Sequence, residues 1–208
     1  MHRIGLIIAD HFQMLALSTL TVFEFANLVA EHPFYQPVVY SEHGGTVRSS
    51  SGIGVDSTKL TEETLVDTWL IAGVLSPVED PASPGVIHFL QTTARQARRI
   101  AGVCTGAFVL AQAGLLEQKR ATTHWAHSQS LASRHPTIQL EDDRIFIIDD
   151  TIWTSAGMTA GLDMALGMVE KDLGADIART VAHRLVMNQR RSGGQKQHSE
   201  MLALAPRS

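Results

Sequence analysis

The sequence predicts an α/β fold, a mostly parallel sheet between two layers of helices, and three observations predict it. Short apolar runs of strand length alternate with longer stretches whose apolar residues recur at helical spacing, the pattern of strands joined by crossover helices. Of the 208 residues, 44% are hydrophobic and 18% charged. That is enough apolar material to cover both faces of a sheet in one domain, and it excludes a disordered chain. Third, Gly102-Val103-Cys104-Thr105-Gly106 stands where a buried strand turns directly into a helix.

The elements follow in order. Ile4 to Ala9 is a continuous apolar run, so the first strand starts almost at the first residue and the N-terminus does not read as a signal peptide. Leu17 to Ala30 is a helix with Val22, Phe25, Ala26 and Val29 on one face. Pro37 to Tyr40 is a second strand. Ser41 to Thr58, rich in Gly and Ser, forms a hairpin through Thr46-Val47-Arg48 and Val55-Asp56-Ser57. Trp69 to Ala72 is a third buried run that ends at Gly73. Pro81 and Pro84 open a helix from Gly85 to Arg98. Arg99 to Val103 is the next strand, and Thr105 to Ala113 the helix after it. Ile145 to Ile148 meets Ile152 to Ser155 across Asp149-Asp150-Thr151. Leu162, Ala165, Leu166, Val169 and Leu173 mark an amphipathic helix that Gly174 breaks, and Ile177, Val181 and Leu185 line another. From Gln189 onward the chain turns polar and basic, so residues 1–188 read as the folded domain and 189–208 as a linker.

Composition excludes several functions. Seventeen basic against twenty-one acidic residues give a net charge of −4, which argues against a nucleic-acid surface on this chain. No apolar run approaches the ~18 residues of a membrane span. The one cysteine, Cys104, excludes an intramolecular disulfide and a cysteine-built metal centre. A cytoplasmic protein is expected.

The central pattern is G-x-C-x-G, the thiol form of a nucleophile elbow, whose tight turn presents the middle side chain at the carboxyl edge of the sheet. A helix N-terminus there favours thiolate over thiol. Cys104 is open to two roles: a presented nucleophile, or a small buried apolar residue. Ala121-Thr122-Thr123-His124-Trp125-Ala126 supplies His124, either a partner that activates the thiol or a histidine at a helix start bonded to backbone. In Ser155-Ala156-Gly157-Met158-Thr159-Ala160-Gly161-Leu162-Asp163 the small residues suit close packing near the elbow. Thr159 reads there as a helix cap, and Asp163 faces either solvent or a pocket. His124 and His127 lie at i,i+3 without a third ligand, so no metal is predicted. No dinucleotide fingerprint or phosphate loop follows the first strand, and no cofactor is predicted.

At these stretches the sequence resembles the ThiJ/PfpI superfamily, relatives of the class I glutamine amidotransferases. More closely, it resembles the amino-terminal domain of GlxA-type regulators in the AraC family. The resemblance runs over residues 3–205 and is carried by Phe23-Glu24-Phe25-Ala26-Asn27, Gly44 to Ser50, Val103 to Phe108, Leu115-Leu116, Arg120 to Trp125 and Ser155 to Leu162. The cysteine elbow and Thr-Thr-His-Trp are shared with isocyanide hydratase, whereas Gly193-Gly194-Gln195-Lys196-Gln197 resembles the segment that leads toward DNA-binding parts. Active members carry an acid just before the first helix; here that place falls on Leu15 or Ala16. They also carry Gly-Gly after the third strand, where this chain has Gly73-Val74. His183 is followed by Arg184, which removes the amidotransferase reading.

The resemblance implies a flavodoxin-like three-layer sandwich acting as a non-catalytic sensor that binds a small-molecule effector. The residues implied at that site are Cys104, Thr105, Gly73, Val74 and His124. It further implies a homodimer, with DNA bound only through a C-terminal helix-turn-helix domain beyond Ser208. The rival is a cysteine-dependent hydratase of the isocyanide type, with Cys104 as nucleophile.

Overall fold

The computed structural model describes residues 1–187, 191–194, 196 and 197. The first half runs β1 (His2–Ile7), a 3-10 turn (Met14–Leu17), α1 (Ser18–Val29), β2 (Tyr35–Ser41), β3 (Gly45–Arg48), β4 (Gly54–Lys59), β5 (Thr68–Ile71) and α2 (Pro84–Thr92). The second runs β6 (Arg99–Val103), α3 (Gly106–Gln112), β7 (Arg120–Ala121), α4 (Ser128–Arg134), β8 (Gln139–Leu140), β9 (Phe146–Asp149), β10 (Ile152–Ser155), α5 (Met158–Leu173) and α6 (Ala175–Arg184).

Among the described residues, eight strands form one sheet in the order β3-β4-β2-β1-β5-β6-β10-β9. The inner strands are parallel, while the outer strands β3 and β9 run antiparallel to their neighbours. The strands after β1 fill first one side of it and then the other. Beside β1 the order therefore reverses, which leaves a crevice at the carboxyl ends of the strands.

Side chains alternate between two cores, as the pleat requires. Leu70 of β5 and Ala101 of β6 join Val22 and Phe23 of α1 and Ala165 of α5 on one face. Trp69 and Ile71 join Phe89 and Leu90 of α2 and Phe108 of α3 on the other. This is the three-layer α/β sandwich expected from the alternation.

Some boundaries moved. Ser83 caps α2 by accepting from the Val86 N–H at 3.3 Å, with Pro84 in the first turn. The helix stops at Thr92, whose hydroxyl bonds back to the His88 carbonyl, and a short 3-10 turn over Ala94–Gln96 hands the chain to β6. The expected cap at Thr159 is corrected: Gly157 is the N-cap of α5, and Thr159 lies inside the first turn. Strands β7 and β8 and helix α4 were not expected. The first two are two-residue strands and α4 has seven residues, too short for a clear apolar period. The expected boundary between 188 and 189 lies outside the described residues.

The amino ends of the strands are closed by a buried charge network. Asp172, near the end of α5, meets Arg99 of β6, Arg98 at 2.9 Å and the Tyr35 hydroxyl at 2.9 Å. Arg99 also donates to Thr68 at 2.8 Å.

Candidate functional site

β6 delivers Cys104 to the carboxyl edge of the sheet, between the strand and α3. Its φ of 56° lies in the left-handed region, which non-glycine residues enter only when their surroundings hold them there. Two hydrogen bonds do so. The Cys104 N–H donates to the Ser155 carbonyl of β10 at 3.1 Å. Its carbonyl accepts from the Thr123 hydroxyl at 3.0 Å. The flanking glycines allow close approach instead of carrying the strain. A Cβ on Gly102 would lie 2.8 Å from the Ala107 nitrogen, and one on Gly106 only 2.2 Å from the Ile71 carbonyl. The elbow expected from G-x-C-x-G is present, with the strain in the cysteine itself.

Thr105 and the loop after β5 complete the cluster. The Thr105 hydroxyl donates to the Val74 carbonyl at 2.6 Å. Gly73 packs against it so tightly that a Cβ would fall 2.2 Å from the Thr105 Oγ1. Gly73, Val74, Cys104 and Thr105 are thus brought together, and the Val74 carbonyl presents an acceptor to the elbow.

The thiol is nearly inaccessible, at 3% exposure. Burial pushes its pKa up to about 11, against which hydrogen bonding from the Thr105 backbone N–H pulls only partly. The expectation that the helix N-terminus would favour thiolate is therefore corrected: desolvation outweighs it. Among the described residues, no acid acts on the thiol. Ala16 is fully buried in the same core group as Cys104, while Leu15 is 45% exposed. Asp10 accepts from the Arg48 N–H at 3.3 Å, and Glu24 is exposed on α1.

His124 stands at the margin. It caps the 3-10 turn Trp125–His127, its Nδ1 accepting from the Ala126 N–H at 3.2 Å. Its ring lies over Gly157, where a Cβ would be 3.5 Å away. Of its two sequence readings, this is the helix-start one. The residue joined to the elbow is its neighbour Thr123, whose only sign in the sequence is the doubled threonine at 122–123. Among the described residues, no group of three or more histidines, cysteines or carboxylates is placed to hold a metal.

A cavity of about 560 Å³ opens at the switch point, beside Val74. Ile8, Ala72 and Val74 wall it, and Asp10, Glu42 and Asp80 are at its rim; Gly73, Cys104, Thr105 and His124 are not among its lining residues. Among the described residues, no helix is long and apolar enough to cross a membrane.

Comparison with known proteins agrees with this geometry. The chain is 36% identical over 184 residues to the HTH-type transcriptional regulator GlxA of Rhizobium meliloti, covering 86% of this chain and 56% of that protein. It is 37% identical over 145 residues to isonitrile hydratase of Pseudomonas putida, covering 67% and 60%. The chain thus spans little more than half the length of these relatives. The crystal structure of an AraC family transcriptional regulator from Pseudomonas putida shares the fold with a TM-score of 0.80 at 24% identity, over 89% of this chain and all of that one. The DJ-1/PfpI family model matches residues 2–171. With its parallel sheet and strained cysteine elbow, the chain belongs to the DJ-1/PfpI family.

Proposed function

We propose that this chain is the ligand-sensing domain of an AraC-type helix-turn-helix regulator and that it does not turn over a substrate. One observation carries this reading. The elbow cysteine is buried, its thiol held protonated by desolvation, and the place of the family's acid falls on Leu15 or Ala16, neither of which carries a proton to share. General acid–base help to a nucleophile is typically worth ~10²–10⁴-fold, and no carboxylate is there to give it. Relatives that are regulators support the reading.

The effector binds at the carboxyl edge, in the cavity walled by Ile8, Ala72 and Val74; of the residues expected at the site only Val74 lines it, and Thr105 touches it only through its hydrogen bond to the Val74 carbonyl. Apolar walls and the carboxylates of Asp10, Glu42, Glu79 and Asp80 favour a small ligand that carries positive charge. His11 lies 3.6 Å from Asp80 and His43 3.8 Å from Glu42, which leaves Asp10 and Glu79 as the carboxylates without a histidine partner among the described lining residues. DNA is contacted only through a further C-terminal domain. A homodimer, with α1 or the hairpin at residues 44–54 as contact, would match paired half-sites, and the protein would work in the cytoplasm.

The similarity to isonitrile hydratase supports the rival reading, so one experiment addresses both. Purified protein is mixed with a simple isocyanide and, separately, with a panel of small amines. Thermal stabilisation by an amine with no isocyanide turnover is expected. Repeated turnover that Cys104→Ser abolishes would overturn the sensing role.

A further inference from the structure

Residues that leave the domain are bound back onto it beside the elbow. Arg191 grips Asp163, whose side chain has no exposed surface. The Arg191 backbone N–H donates to Oδ1 at 2.9 Å, and its Nε and Nη2 donate to Oδ2 at 2.9 and 2.8 Å. Arg144 donates to the Gly194 carbonyl at 2.6 Å. Gly193 lies so close to β9 that a Cβ would fall 2.5 Å from the Phe146 carbonyl.

Gln197 is held by backbone and side chain together. Its N–H donates to Asp143 Oδ1 at 3.0 Å, and its Oε1 accepts from the Trp125 N–H at 3.1 Å. Its amide nitrogen donates to the carbonyls of Asp142 at 2.7 Å and Thr123 at 2.9 Å. Thr123 is the residue whose hydroxyl holds the Cys104 carbonyl, and it is itself fully buried. Two hydrogen bonds, with one threonine between them, therefore join residue 197 to a strained elbow.

We propose that residues 191–194, 196 and 197 form a strap whose docking is coupled to the state of the Cys104 elbow. Strained backbone persists only while its surroundings over-determine it. A group that enters at Cys104 and shifts its carbonyl moves Thr123 within a packed interior, and the Gln197 contacts weaken together. The reverse holds by linkage, since a coupling free energy acts equally in both directions. The strap is thus a route by which an event at the elbow reaches the chain beyond residue 197. The coupling stands whether the elbow answers to an effector or a substrate, so its failure would leave the sensing role untouched.

The test uses thiol chemistry and the whole chain. Iodoacetamide alkylates Cys104 at alkaline pH, the thiolate displacing iodide to form the S–CH2 bond, and amide hydrogen exchange is followed by mass spectrometry at neutral pH. Peptides covering 120–127 and 191–197 should exchange about tenfold faster after labelling, with α2 unchanged. Conversely, Gln197→Ala and Gly193→Val should each raise the alkylation rate of Cys104 by about three- to tenfold, whereas Gln129→Ala on exposed α4 should not. Unchanged exchange over 191–197 in the labelled protein overturns the proposal, as does acceleration spread evenly over the chain. Wild-type alkylation rates in both strap variants overturn it too.

Discussion

Helix α5 carries two buried carboxylates, and what holds each of them differs. Asp163 and Asp172 both have side chains with no exposed surface, and both are gripped by arginine. Asp172 sits near the C-terminal end of α5, where the helix dipole opposes a negative charge. Arg99, itself 4% exposed, and Arg98 offset that, and the Tyr35 hydroxyl donates a further hydrogen bond. These partners belong to the sheet and the segment entering it, so the network locks α5 to the sheet at the amino ends of the strands. Asp163 lies toward the other end of the helix, and its guanidinium comes from Arg191, beyond the last helix and 32% exposed. The same chemistry closes the body in one place and fastens the chain after α6 in the other.

The comparison can be broken or sharpened by substitution. Asp172→Ala strands Arg99 in the interior, and removing one partner of a buried pair typically costs about 3–5 kcal/mol. Denaturant unfolding should show that loss in full, and a loss below about 1 kcal/mol would remove the distinction drawn here. Arg191→Ala should cost less, about 1–2 kcal/mol, because its arginine is partly solvated and the segment can move away. A larger loss than at Asp172 would reverse the ranking.

Smaller effects follow pH. Burial lowers the pKa of His2, which lies in the Asp172 network, despite the opposing pull of the Asp172 carboxylate. A lowered folded-state pKa means that the unfolded chain takes up the proton more readily. Stability from this group is therefore present above pH ~6.5 and lost as pH falls through the folded value. His2→Gln should flatten that acid-side slope in thermal unfolding. At the elbow the sign is opposite. With the Cys104 thiol raised to about 11, stability is full below the unfolded pKa of ~8.5 and declines as pH rises toward 11. The alkylation rate of Cys104 should likewise keep climbing to about pH 11; a plateau near pH 8.5 would show that the thiol is not desolvated.

Where local burial repeats along one element, the residues announced the structure. The apolar run from Ile4, the hairpin around Thr46 and Val55, Pro84 at the start of α2 and Gly174 at the end of α5 all fell where the pattern put them. Gly102 and Gly106 marked the elbow, because only a residue without Cβ tolerates that approach of helix to strand. Tertiary structure decided the rest. The short strands β7 and β8 depend on pairing with each other across α4 and carry no period of their own. Asp163 could have faced solvent or a pocket; what settled it was Arg191, 28 residues away in the chain. A helix N-terminus is visible in sequence and points to thiolate, whereas the desolvation that raises the thiol pKa depends on the neighbours that fold over the site. Thr123 bonds Cys104 on one side and Gln197 on the other. Such links join residues near in space and far apart in sequence, and no periodicity or spacing along one chain reports them.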